Sequence, residues 1–204
     1  MDEFLSWDPH ISYVKNKLSK SNYAINSSKN FIPLRIRKLL YNSLFRSHLE
    51  FGIIAWGGVK AKQLKPIVNL EKKCIRNVAN RDFKSHTDPI FKSLNILKFN
   101  DLYYYNCILL MHKYAYARHT NSILDTFTPL SVNNRTGNYL LQKYKCNFFD
   151  RFPSVALLKI WNEQKNEIKN CLSFSSVKLK VKQKLLENYE DVVKCKYSGC
   201  PDCN

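Results

Sequence analysis

Apolar residues return every three or four positions along most of this chain, with lysine and arginine between them, and that periodicity points to helices. Ile11, Val14, Leu18 and Ile25 form one such stripe, with Lys15, Lys17 and Lys20 mostly off it. Asp8 and Pro9 suit its start, as N-cap and first helical residue. After a break at Ser27-Ser28-Lys29-Asn30, Pro33 opens a second helix that runs to about residue 50. The spacing turns Ile36, Leu40 and Leu44 inward and leaves Arg35, Arg37 and Lys38 nearer solvent. A third helix, from about Ala61 to Arg81, carries Leu64, Ile67, Cys74, Ile75 and Val78 inward. Its other face holds Lys65, Lys72, Lys73, Arg76 and Arg81. Ser85-His86-Thr87-Asp88-Pro89 caps a short helix that reaches about Leu94. Asn100 caps a fourth long helix, where Leu102, Tyr105, Leu109 and Tyr116 recur at helical intervals. With only 5 glycines and 7 prolines in 204 residues, a turn-rich β fold is disfavoured. The fold class expected is all-α, a helical bundle followed by a less regular helical segment.

Two stretches resist a single reading. FGIIAWGG, Phe51 to Gly58, is either the buried end of the second helix or a tight turn between helices. VKLKVKQKL alternates like a strand, yet Val177, Val181, Leu185 and Leu186 also fit a helix, which Ser175 or Ser176 can cap; helix is the favoured reading. Residues 119–155 are irregular, with Pro129 and Pro153, so a boundary is expected near residues 120–138. The organisation expected is a bundle over residues 1–120, a helical segment over 121–190 and a cysteine-containing tail over 191–204. In that tail Cys195, Cys200 and Cys203 offer three soft ligands, and zinc needs four. The fourth would come from Cys171, a distant histidine or a second chain, so a frayed tail with free thiols is preferred over zinc.

Lys and Arg number 33 against 16 Asp and Glu, a formal net charge of +17. A polyanionic partner is the simplest physical reason, because each neutralised phosphate releases a condensed counterion. Solvated lysine-rich surfaces are the plain alternative. The longest apolar run, Phe51 to Val59, falls far short of the roughly 20 residues that a membrane span needs. The acidic N-terminus MDEFLSWDPH lacks a hydrophobic signal core, and Cys74 and Cys107 fall on apolar helical positions, where thiols act as small hydrophobes. A reducing, intracellular location, cytoplasmic or nuclear, is the expectation. No nucleophile elbow or phosphate-cradling glycine loop is present. His48 and His86 read as hydrogen-bonded structural residues, and Trp7, Trp56 and Trp161 as core. Tyr103-Tyr104-Tyr105 must turn at least one ring outward.

Several landmarks follow one another in a telling order. LSWDPHI (Leu5 to Ile11) is followed by LLYNSLFRSHLEFGIIAWGG (Leu39 to Gly58), with Tyr41, Ser43, Leu44, His48, Leu49, Phe51, Gly52, Trp56 and Gly57 at its marked positions. LEKKCIRNVAN (Leu70 to Asn80) and SHTDPIFKSLNILKFNDLYYYN (Ser85 to Asn106) come next, then NNRTG (Asn133 to Gly137) and Trp161-Asn162 with Ile168-Lys169 and Ser173. This order resembles the thumb and C-terminal region of reverse transcriptases from non-LTR retrotransposons of the jockey-like, LINE type. Glu71 stands where the family usually has glutamine, Cys74 where it has a small residue, and Glu163-Gln164-Lys165 lacks the family's Leu-Pro. The resemblance implies that the metal-binding aspartates lie in a palm preceding the Leu5 landmark. No Asp-Asp pair occurs in this chain, and two-metal phosphoryl transfer needs carboxylates that bridge cations about 4 Å apart. It therefore implies no catalytic residue and no cofactor here, with magnesium belonging to that palm. The partners implied are RNA, an RNA–DNA hybrid or a DNA duplex, together with an upstream palm and fingers, and no membrane. Arg35, Arg37, Lys38, Lys65, Lys72, Lys73, Arg76 and Arg81 are the residues expected on the nucleic-acid backbone. Lys178, Lys180, Lys182 and Lys184 form a second cluster, read equally as a site for template RNA or as a solvated face. An inert helical relic of such an element, or a small zinc-dependent C-terminal module, are the alternatives.

Overall fold

Helix α1 (Asp8–Ser28) buries Ile11, Val14, Leu18 and Ile25, the stripe that the spacing predicts. It packs along α5 (Ala61–Ala79), which buries Leu64, Ile67, Cys74, Ile75 and Val78. The computed structural model describes residues 6–116, 132–133, 138–139, 141 and 152–189. Leu5, Asn134 to Gly137, Glu190-Asp191 and the tail cysteines lie outside the described residues. The chain divides into two compact units. One takes the described residues up to Gly52, Val59–Phe99 and those from Leu185 on; the other takes Ile53–Gly58 and the described residues from Asn100 to Lys184. Helices dominate both, with one two-residue β pair among the described residues, so the all-α expectation holds. No helix among them is long and apolar enough to cross a membrane.

In the first unit, α1 starts a residue earlier than expected, at Asp8, whose backbone N–H donates to Ser6 Oγ at 3.1 Å. Between α1 and α5, the buried Asn77 donates Nδ2–H to Asn22 Oδ1 at 2.9 Å. The expected second helix is a rod of α2 (Leu34–Leu40), a π-helical stretch (Tyr41–Arg46) and α3 (Ser47–Glu50). Its buried line is Arg37, Tyr41, Phe45 and Leu49. The expected line fails, for Ile36 and Leu44 are both 40% exposed. The i→i+5 bonding of the π stretch widens the turn, so side chains four apart stay aligned instead of drifting round the rod. The Ser21 hydroxyl of α1 lies 3.0 Å from the Lys17 carbonyl and 3.1 Å from the Leu44 carbonyl, tying α1 to that stretch.

Glu71 gathers this core. It is 1% exposed, accepts the Phe99 N–H at 3.0 Å on one oxygen and faces the Tyr41 hydroxyl at 3.5 Å with the other. Burial first, then the Glu71 charge, hold the Tyr41 phenol well above its ordinary pKa. Two asparagines finish helices where glycine is usual. Asn80 (φ 53°) follows α5, and Asn95 (φ 56°) follows α6 (Asp88–Ser93). The next N–H then closes back, Arg81 onto Arg76 O at 2.9 Å and Ile96 onto Phe91 O at 2.9 Å. Tyr189, 3% exposed, fills a gap beside α6: its hydroxyl accepts the Lys98 N–H at 2.8 Å and its ring meets Phe91 edge-on.

FGIIAWGG resolves as the tight turn. Phe51 is extended and 76% exposed, Gly52 has φ 61°, and α4 (Ile53–Trp56) is a single turn that buries Ile53 and Trp56. In the second unit a Cβ on Gly57 would sit 2.5 Å from Ile53 O and 2.6 Å from Tyr103 Cδ2. Helix α7 (Phe99–Tyr116) begins one residue before its expected cap at Asn100. It buries Leu102, Tyr103, Cys107, Ile108 and Met111, while Tyr104 is the outward ring at 42% exposure. Burial pushes the Cys107 thiol up to about 12, and the Cys74 thiol of the first unit rises for the same reason; both act as core, as expected. His112, 2% exposed, lies 2.6 Å from the Cys171 carbonyl through Nε2, which therefore carries the proton. Its ring sits among Tyr116, Trp161 of α8 (Pro153–Asn162) and Phe174 of α10 (Phe174–Glu187). The Asn162 amide pairs with both the N–H and C=O of Tyr139 at 2.9 Å, extending the antiparallel pair Val132–Asn133 with Asn138–Tyr139. Lys169 of α9 (Asn166–Lys169) donates to Asn138 Oδ1 at 2.5 Å and Asn162 O at 3.0 Å.

Glu71→Leu strips two buried donors of their acceptor and is expected to cost on the order of 3 kcal/mol in urea unfolding. Glu71→Gln, which keeps an acceptor, costs less. Gly57→Ala is expected to cost about 1–3 kcal/mol through the clash with a backbone oxygen; an unchanged unfolding midpoint contradicts that packing.

Candidate nucleic-acid interface

A helix repeats its faces every 3.6 residues, so positions 3, 7, 10, 11 and 14 beyond a given residue share its side. In α5, counting from Lys62, those steps reach Lys65, Asn69, Lys72, Lys73 and Arg76. The side chains of Lys62, Lys65 and Lys73 are exposed and those of Lys72 and Arg76 half-buried. The buried line of Leu64, Ile67, Glu71, Cys74, Ile75 and Val78 occupies the opposite side. The helix has one acidic residue, Glu71, and it points into the core. The outer face thus presents five cations with no carboxylate of the helix among them. From Lys62 to Arg76 it runs about 21 Å. That length matches roughly six phosphates along one strand of a duplex.

Arg76 is the fixed member of the set. Its Nε–H donates to the Ser85 carbonyl at 2.7 Å and Nη1 to the Lys72 carbonyl at 3.4 Å, while the guanidinium lies over the Phe83 ring at 5.8 Å. Burial lowers its pKa. The lysines are flexible point charges by comparison, suited to phosphates at varied positions. Arg81 follows the helix beyond the Asn80 turn and is exposed.

The remaining expected residues separate. Arg37, expected nearer solvent, is 8% exposed and donates Nη1–H to the Lys29 carbonyl at 2.7 Å, closing the loop between α1 and α2. The same turn of α2 exposes Arg35 and leaves Lys38 half-buried, on a different helix from the α5 set. The lysines of α10 also part company. The alternation that lines them up in sequence places Lys178 with Lys182, and Lys180 with Lys184, in two columns on opposite flanks of a helix. The Lys178 ammonium rests over Phe174 at 4.6 Å. Lys62 was missed in the sequence, although its three-residue step to Lys65 was visible there.

Cys195, Cys200 and Cys203 lie outside the described residues. Cys171, a half-buried thiol, faces the Ser173 carbonyl at 3.7 Å. Among the described residues, no three His, Cys, Asp or Glu side chains come together in a way that holds a metal ion. His48 and His86 are half-buried on helix and loop, and Trp7 is half-buried against His10, whereas Trp56 and Trp161 are core.

Arg37→Ala is expected to lower stability by about 1–3 kcal/mol, because the Lys29 carbonyl loses its donor and the core a long stem. Lys65→Ala and Lys73→Ala are expected to stay within about 0.5 kcal/mol of the parent. Equal losses for all three in the same urea titration contradict the division between a structural arginine and surface lysines. No family model, curated protein or solved structure matches this chain.

Proposed function

We propose that the outer face of α5 grips the phosphate backbone of nucleic acid, and that the chain is the thumb-like portion of a reverse transcriptase of the non-LTR retrotransposon type. The observation that carries the binding reading is the segregation of charge on α5: five cations outward and its single carboxylate inward. Contacts of this kind hold register and orientation without reading base sequence. An RNA–DNA hybrid is the substrate favoured, since the family resemblance lies with enzymes that copy RNA into DNA. The chain contains no adjacent aspartate pair, so the role assigned to it is holding the duplex; polymerisation is assigned to a palm carrying the magnesium ligands. Such a role belongs inside the cell, in the cytoplasm or nucleus.

Fluorescence anisotropy of a labelled RNA–DNA hybrid across a salt series tests this. Five phosphate contacts are expected to give a slope of log K against log salt of about −4 to −5. Lys62→Glu with Lys65→Glu is expected to flatten that slope by about 2 and to weaken binding more than tenfold at low salt. Binding that is undetectable at low salt, indifferent to salt or untouched by the charge reversal removes the reading.

A further inference from the structure

Beside the basic face, α1 and α5 leave a groove of about 280 Å³ lined by Ser19, Asn22, Tyr23, Asn26, Leu70 and Lys73. Five of these six residues end in a hydroxyl, an amide or an ammonium group, while the wall they present to the groove is mostly carbon, a surface on which a flat ring can lie beside a few hydrogen-bonding groups. None is acidic. Leu70, half-buried, is the apolar member.

Three features fix what chemistry suits the groove. Asn22 is only 6% exposed, and its Oδ1 already accepts from Asn77 at 2.9 Å. The neighbouring amide thereby sets which way Asn22 is turned and leaves its NH₂ as the end available to a ligand acceptor. Tyr23 is 73% exposed at the edge of the groove, an aromatic face held on a rigid helix. Lys73 belongs both to the groove and to the cation row of α5, so a phosphate on that row has its attached sugar and base within reach of the groove. A flat ring with hydrogen-bonding edges, tethered to a phosphate, matches all three.

We infer that this groove receives one unpaired nucleotide of a single-stranded segment, with its base stacked on Tyr23, its edge against Asn22 and Asn26, and its phosphate on Lys73. A base inside a duplex is stacked on both faces and cannot enter, so the ligand class is single-stranded RNA or DNA adjoining the duplex. The inference rests on the reading of α5 as a backbone-binding face.

Anisotropy with two probes separates the two ideas: a labelled oligouridylate of about 12 nucleotides and the RNA–DNA hybrid. Tyr23→Ala is expected to weaken oligouridylate binding by about 5- to 150-fold, while Tyr23→Phe retains it and hybrid affinity stays within about twofold of the parent. Lys62→Glu with Lys65→Glu weakens both probes. Oligouridylate affinity unchanged in Tyr23→Ala, with the hybrid still bound and still sensitive to charge reversal, overturns the groove and spares the α5 face. Equal weakening of both probes by Tyr23→Ala also overturns the groove, because a general loss of fold acts in that way. Failure of the parent to bind either probe overturns both.

Discussion

Glu71 places the only carboxylate of α5 inside the protein, and both the core and the outer surface of the first unit depend on that placement. A buried carboxylate is costly unless donors replace its water. Here the donors come from distant parts of the chain: the Phe99 backbone N–H at 3.0 Å and, more distantly, the Tyr41 hydroxyl at 3.5 Å. The π-helical stretch, α5 and the start of α7 are therefore held to one point. The same inward turn leaves the solvent side of α5 without a negative charge. Lys62, Lys65, Lys72, Lys73 and Arg76 then add their fields over about 21 Å instead of being neutralised in i,i+4 pairs. The bonded core and the outer face without a negative charge are two consequences of one side-chain orientation.

The helices most legible in the sequence were those with an undisturbed 3.6-residue period. On α1 and α5 every residue of the expected apolar stripe is buried, and the basic face of α5 follows directly from it. The rod from Leu34 to Glu50 differs from the expectation by an offset of one residue: Ile36, Leu40 and Leu44 have the same four-residue spacing as the buried Arg37, Tyr41 and Phe45. Aliphatic residues mark one face and aromatic residues the adjacent one, and the core takes the aromatic face together with the Arg37 stem. Asn80 and Asn95 show a milder limit: asparagine tolerates φ > 0, but the residue alone does not say when it will adopt it. The α10 lysines do not form one row, for a geometric reason. Alternation gathers residues on one side only in a strand, and on a helix it scatters them.

Within the candidate site, the sequence grouped Lys65, Lys72, Lys73 and Arg76 on one helix face, but not the way each is held there. Charge, exposure and helical position were readable for Lys65, Lys72 and Lys73, whereas the anchoring of Arg76 required Ser85 and Phe83 to be seen beside it. The groove lined by Asn22, Asn26 and Tyr23 had no sequence signal at all. These are ordinary polar residues of an amphipathic helix until α5 closes the other wall with Leu70 and Lys73.

The residues that carry the family resemblance are largely occupied in holding the fold. Gly52 takes a φ of 61°, Gly57 lies where a Cβ meets the Ile53 carbonyl, and Trp56 and Trp161 are 1% and 2% exposed. Asn162 spends its side chain on the Tyr139 backbone, and Lys169 spends its ammonium on Asn138 Oδ1 and the Asn162 carbonyl. Residues of that kind recur wherever the same chain path must be closed, whatever the surface then does, and a likeness built on them speaks first to architecture. The nucleic-acid reading accordingly stands on different residues, the α5 cations, none of which the fold requires to be basic except Arg76, whose guanidinium also ties α5 to the loop at Ser85. The side chains of Lys62, Lys65 and Lys73 are exposed, so charge is what they contribute, and the phosphate backbone proposed above is a partner on which such a charge would act.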